Sequence, residues 1–176
     1  WYNLIGTVNG TLSESSIGTT TAGTMTFDGV DDTLNIVLAS LVSSDFTVIG
    51  VSGKVAGSNG RLISARSNNF LLGHHGTGSR KYYSEGWVAS SYSDSSNDVH
   101  IYCGTGDISG DVYSFREDNV NYTQTASGGS QGPNGFALGS FQNGSEYGTG
   151  TITVLLVYNR VLTDAEIDQN FNAQKN

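Results

Sequence analysis

Thr151-Ile152-Thr153-Val154-Leu155-Leu156-Val157-Tyr158-Asn159-Arg160-Val161-Leu162-Thr163-Asp164-Ala165-Glu166-Ile167 is the stretch that decides the fold. Its first eight residues are apolar and rich in β-branched side chains, which predicts a strand built into a sheet. Thr163 stands where a helix N-cap belongs, and Glu166 three residues later completes a capping box. Leu162 before the cap and Ile167 inside the helix make a hydrophobic staple. Ile167 and Phe171, four apart, share one helical face. The pattern predicts a helix over 164–172 held to the strand through Ile167 and Phe171. No other segment carries a comparable helix signal.

Working outward, Met25-Thr26-Phe27-Asp28-Gly29-Val30-Asp31-Asp32 passes from strand to turn, and Thr33-Leu34-Asn35-Ile36-Val37 resumes a strand. Phe46-Thr47-Val48-Ile49-Gly50-Val51 alternates with both rows largely apolar, as a central strand covered on both faces requires. Strands are predicted near 24–30, 33–38, 46–52, 61–65, 69–73, 81–88, 99–103, 111–116, 135–141 and 150–158. Gly-rich turns separate them, such as Gly57-Ser58-Asn59-Gly60 and Gly104-Thr105-Gly106. With 24 Gly, 1 Pro and 10% aromatic residues, the composition suits short strands and tight turns rather than a disordered chain. A length of 176 residues suits one domain, 1–176, with its own core. The strand spacing points to an all-β, two-sheet antiparallel sandwich with one short C-terminal helix, not to βαβ units.

The two ends of the chain carry a resemblance. Trp1-Tyr2-Asn3-Leu4, Asn9-Gly10-Thr11-Leu12, the Phe27-Asp28-Gly29 turn and the Val157–Ile167 ending together resemble the laminin-G-like, concanavalin-A-like jelly-roll domains. Residues 54–135 match only as a strand pattern. The resemblance implies a jelly roll; it implies little chemistry, because one fold hosts many functions. Domains with this ending resemble those of bacteriophage virion proteins and of secreted bacterial proteins. That implies a non-catalytic structural or adhesion module on a virus particle, with neighbouring virion subunits or a cell-surface glycan as partner. The alternative is a carbohydrate-binding module of a secreted bacterial protein, and a glycoside hydrolase ranks third. The implied location is the virion or the extracellular space. The chain opens on Trp1 rather than Met, which reads as a processed product or a piece of a longer polypeptide.

Charge narrows the partners. The net charge of −8, with eight scattered Lys and Arg, argues against a nucleic-acid phosphate backbone as ligand. No apolar run approaches the ~18 residues of a membrane-spanning helix. The single Cys103 cannot form an internal disulfide and reads as a buried, inert thiol.

Enzyme chemistry finds little footing. Retaining glycosidases need two carboxylates about 5–5.5 Å apart. Glu117 and Asp118 are consecutive, so strand alternation would send them to opposite faces. Glu166 and Asp168 fall on the helix. No Ser lies in a Gly-x-Ser-x-Gly elbow. His74 and His75 are adjacent and diverge on a strand, which disfavours a shared transition-metal ion.

Two candidate sites remain. Tyr82, Tyr83, Trp87, Tyr92 and Asp94 form the densest group of aromatic and polar residues, the materials of a sugar-stacking platform. The competing reading packs Tyr83 and Trp87 into the core and leaves Tyr82 exposed. Asp28, Asp31 and Asp32 supply the hard oxygen donors that calcium takes, although none of the sequence matches an EF-hand loop. Asp28 and Asp31 also read simply as turn formers.

Overall fold

A computed structural model describes residues 11–13, 18–19, 23–38, 41–90, 97–123, 131–142 and 144–175. Fourteen strands follow one another: β1 (Thr11–Ser13), β2 (Gly18–Thr19), β3 (Met25–Asp28), β4 (Thr33–Ile36), β5 (Phe46–Lys54), β6 (Ile63–Ala65), β7 (Phe70–His75), β8 (Gly78–Ser84), β9 (Trp87–Ala89), β10 (Val99–Asp107), β11 (Val112–Glu117), β12 (Val120–Thr123), β13 (Phe136–Leu138) and β14 (Thr149–Tyr158). The helix α1 (Asp164–Gln174) closes the described chain. The strands form two seven-stranded antiparallel sheets, ordered β1-β4-β13-β6-β7-β8-β9 and β12-β11-β10-β5-β14-β3-β2. The result is the two-sheet sandwich that the sequence predicts.

The core lies between the sheets. Phe27, Phe46, Val48, Leu62, Ile63, Phe70, Leu72, Tyr82, Tyr102, Phe115, Phe136 and Ile152 are all fully buried there. Phe70 is its hub, meeting Phe46, Tyr82 and Phe136 edge to face at ring-centroid distances of 6.0, 5.8 and 6.0 Å. These rings need room, and glycine supplies it from the strands opposite or, for Phe46, from the strand beside it. A Cβ on Gly104 would stand 3.1 Å from Leu72 and 3.2 Å from the Tyr82 ring. One on Gly73 would stand 2.7 Å from the Tyr102 ring, and Gly139 and Gly106 lie as close against Phe27 and Phe46.

Strand β5 sits mid-sheet between β10 and β14 and is buried along its whole length. Phe46 and Val48 point into the core, while Ile49 and Thr47 point out under the helix. Strand β14 carries a bulge between Ile152 and Val154. The extra residue resets the alternation, so Leu155 and Val157 pack on the core and Leu156 and Tyr158 on the helix side. After β14, the Thr47 hydroxyl donates to the Arg160 carbonyl (2.9 Å) and accepts from the Leu162 amide (3.0 Å).

The helix begins as its capping box dictates. Thr163 is extended, its hydroxyl accepts the Glu166 amide, and Glu166 reaches back to the Thr163 amide at 2.9 Å. Arg160 grips the same carboxylate with two bonds of 2.7 and 2.8 Å. That arginine first, then Thr163, holds the Glu166 carboxyl down at about 2. Ile167 and Leu162 are buried with Ile49 and Cys103 in a second apolar cluster. Phe171 departs from expectation: it is half-buried and stands outside that cluster, with the Lys175 ammonium 5.9 Å from its ring. The Arg116 side chain of β11 adds an anchor, pairing with Asp164 and lying 3.6 Å from Asp168. Cys103 is buried as expected, and burial pushes its thiol up to about 12. No helix among the described residues is long and apolar enough to cross a membrane.

Candidate functional site

The predicted strand 81–88 is in fact a hairpin. Glu85 adopts a left-handed φ of 54°, and the chain turns through Glu85-Gly86 between β8 and β9. Tyr83 therefore pairs with Trp87 across the hairpin. Alternation fixes the faces: Tyr82 points into the core, so Tyr83 and Trp87 lie on the outer face of the first sheet. Tyr82 is removed from the proposed sugar platform, because it is fully buried with its hydroxyl donating to the Thr105 carbonyl at 3.1 Å. The competing reading is reversed as well, since Tyr83 is only half-buried and Trp87 is 40% exposed. Tyr92 and Asp94 lie outside the described residues.

Three groups that the sequence did not single out for this face complete it. The Trp87 ring meets Tyr83 at 5.1 Å and His75 at 5.4 Å, both close to perpendicular, so it is braced from two sides. His75 Nε2 is 3.8 Å from the Glu146 carboxylate. Glu146 is in turn held by Arg61, whose Nε donates to it at 2.7 Å while Nη1 donates to Asn69 at 2.8 Å. The Arg61 guanidinium lies 4.0 Å from the centre of the Phe141 ring. Arg61 is buried; Glu146 remains 40% exposed and presents its carboxylate at the surface. Burial, followed by the charge of Arg61, holds His75 below its ordinary range and so keeps it neutral near pH 7. Lys81 precedes Tyr83 by two residues on the same face, its ammonium donating to the Ser90 carbonyl.

A second cluster lies on the other sheet. The turn joining β11 to β12 is Asp118-Asn119, with φ of 47° and 65°, the pattern of a type I′ hairpin. That left-handed pair overturns the expectation that Glu117 and Asp118 diverge. Both carboxylates converge on His100 Nδ1, Asp118 at 2.6 Å and Glu117 at 3.1 Å. Glu117 is buried and bonded to Arg80 Nε at 2.7 Å. Burial raises its carboxyl pKa against the pull of Arg80.

The calcium candidates are also brought together, with Asp28, Asp31 and Asp32 oxygens within 4.8 Å of one another. Asp32 is buried and accepts the Asp28 amide at 2.9 Å; Asp28 accepts the Val30 amide at 2.8 Å. The all-oxygen donor set fits calcium. Both bonds also build the turn directly, which is the other role read from the sequence.

No protein-family model and no curated protein sequence matches the chain. Solved structures do. The ligand-binding domain of botulinum neurotoxin serotype D, in complex with N-acetylneuraminic acid, is 11% identical at a TM-score of 0.73, over 95% of this chain and 46% of that one. The binding domain of Paraclostridial Mosquitocidal Protein 1 is 11% identical at a TM-score of 0.73, over 96% of this chain and 48% of that one. Trypanosoma rangeli sialidase, in complex with sialic acid, is 17% identical at a TM-score of 0.63, over 96% of this chain and 30% of that one. The chain thus spans less than half of each neighbour. At these identities the likeness establishes the β-sandwich fold. The laminin-G and bacteriophage expectations gain no support from it.

Proposed function

We propose that this domain is a non-catalytic carbohydrate-binding module that uses the outer face of its first sheet. One observation carries the reading: Trp87 is a large exposed ring braced by Tyr83 and His75 beside the surface carboxylate of Glu146. A flat ring held rigid is what a sugar's apolar face stacks upon, and a carboxylate with free lone pairs is what accepts its hydroxyls. Arg61 fixes that carboxylate from behind, so little freedom is lost on binding.

The fold neighbours support the same reading, since those at the higher TM-scores are binding domains. The sugar recorded with the neurotoxin domain makes sialylated glycans the first class to test. Lys81, on the face that carries Tyr83, offers a cation for such a carboxylate. Calcium at Asp28, Asp31 and Asp32 would stiffen the turn between β3 and β4, a role separable from the sugar face.

The test is a glycan array probed with the wild-type domain and with Trp87→Ala and Glu146→Gln. Binding should weaken by about 1–2 kcal/mol in Trp87→Ala, roughly 5- to 30-fold in Kd. A wild-type domain that binds no glycan, or a Trp87→Ala variant that binds as tightly, overturns the assignment.

A further inference from the structure

We propose that His100, Glu117 and Asp118 form a binding site for a divalent transition-metal ion of the zinc type. This site lies on the second sheet, apart from the aromatic face, and it does not depend on sugar binding.

The backbone goes out of its way to build it. Residues other than glycine seldom take a left-handed φ, and two in succession are tolerated here because Asp and Asn accept that region most readily. The consequence is that two neighbouring carboxylates, which a strand would send to opposite faces, turn toward one imidazole nitrogen. Asp118 is pinned in that pose: its amide donates to the Ile101 carbonyl at 2.9 Å, and its Oδ1 accepts the Ile101 amide at 3.0 Å. Its Oδ2 is left facing His100.

The donor set fits the ion. One imidazole nitrogen and two carboxylate oxygens, all within 4.8 Å of one another, are borderline and hard donors of the kind zinc takes in three-ligand sites. Bonds of about 2.0–2.2 Å in tetrahedral geometry put donors roughly 3.3 Å apart. The Glu117–His100 separation of 3.1 Å already meets that spacing. The Asp118 contact of 2.6 Å must open, and its half-exposed side chain on a turn can do so. A divalent ion set between the imidazole and the two carboxylates would offset both negative charges.

The surroundings add what a metal site needs beyond its ligands. Arg80 fixes the buried Glu117 carboxylate. The Tyr102 ring lies 5.9 Å from the His100 ring. Its hydroxyl is buried beside Ser79 and near the charge of Glu117. Access comes from the surface through the Asp118 side chain, which is 45% exposed.

The experiment is a titration of metal-stripped protein with Co²⁺, followed by its visible absorption, and then displacement with Zn²⁺. One equivalent should bind saturably and be displaced by zinc. Affinity should fall tenfold or more in His100→Gln and in Asp118→Asn, and stay unchanged in Asp111→Asn, an exposed acid outside both carboxylate clusters. Asp118 is half exposed, so its variant keeps the test valid if His100→Gln melts abnormally. No saturable uptake below about 1 mM, uptake undiminished in Asp118→Asn, or uptake lost in Asp111→Asn would each overturn the assignment.

Discussion

His74 gives the sharpest test of the core. It is buried between the sheets, with Nε2 3.2 Å from the Ser52 hydroxyl and its ring 5.2 Å from Tyr102, edge to face. Burial first, then the nearby charge of Lys54, lowers its pKa from 6.5 to about 3. A histidine depressed in this way is neutral when folded and takes up a proton only on unfolding. Its contribution is therefore complete above pH 6.5 and is lost as pH falls from there toward 3. With 1.36 kcal/mol per pKa unit, the linkage amounts to about 2 kcal/mol between pH 7 and pH 5. Urea denaturation at pH 7, 6 and 5 should show that loss in the wild type. In His74→Gln, which cannot titrate, the decline should be flatter by about the same 2 kcal/mol. Contributions from His75, Glu117 and Asp32 are common to both proteins and cancel in the comparison. Equal pH slopes in the two proteins would refute the claim that His74 is held neutral in the fold.

Three further outcomes follow from the packing. Ile167→Ala should cost about 2–4 kcal/mol in urea denaturation, whereas the half-exposed Phe171→Ala should cost about 1 or less, reversing the weight that periodicity alone gives Phe171. Thr163→Ala should cost about 1 kcal/mol by the same assay, through the lost N-cap. Gly104→Ala should cost about 1–3 kcal/mol, because its Cβ presses on Leu72 and Tyr82 and neither can withdraw in a filled core; a melting temperature equal to wild type would show slack in the core.

The fold was legible where local chemistry and long-range packing agree. The capping box at Thr163 and Glu166 is written within four residues, and it forms as read. The doubly apolar alternation of Phe46–Val51 correctly marks a strand buried on both faces. The site was less legible, because left-handed turns decide it. Asp118-Asn119 lacks the Gly that signals such a turn most strongly, and Gly86 follows a Glu rather than the Asn or Asp that takes a left-handed φ most readily, so β11–β12 and β8–β9 each read as something else. Once the Asp118-Asn119 turn is missed, alternation assigns Glu117 and Asp118 to opposite faces; in β8 alternation separates Tyr82 from Tyr83 but leaves open which of them is buried. His75, Glu146 and Arg61 are gathered from three distant segments, and no local pattern announces that.

The glycines set against the core rings bear on how such a sequence can change over generations. Enlarging Gly104 drives a side chain into Tyr82, and shrinking Tyr82 opposite an unchanged glycine opens a void. Either step taken alone lowers stability, so the two positions are free to drift only as a pair. The same constraint joins Gly106 to Phe46 beside it in the sheet, whereas Gly73 and Gly139, with φ of 92° and 83°, are held as glycine by their backbone whatever ring faces them. Descendants of this chain should therefore exchange bulk in matched substitutions at Gly104 with Tyr82 and at Gly106 with Phe46, while keeping Gly73 and Gly139 unchanged.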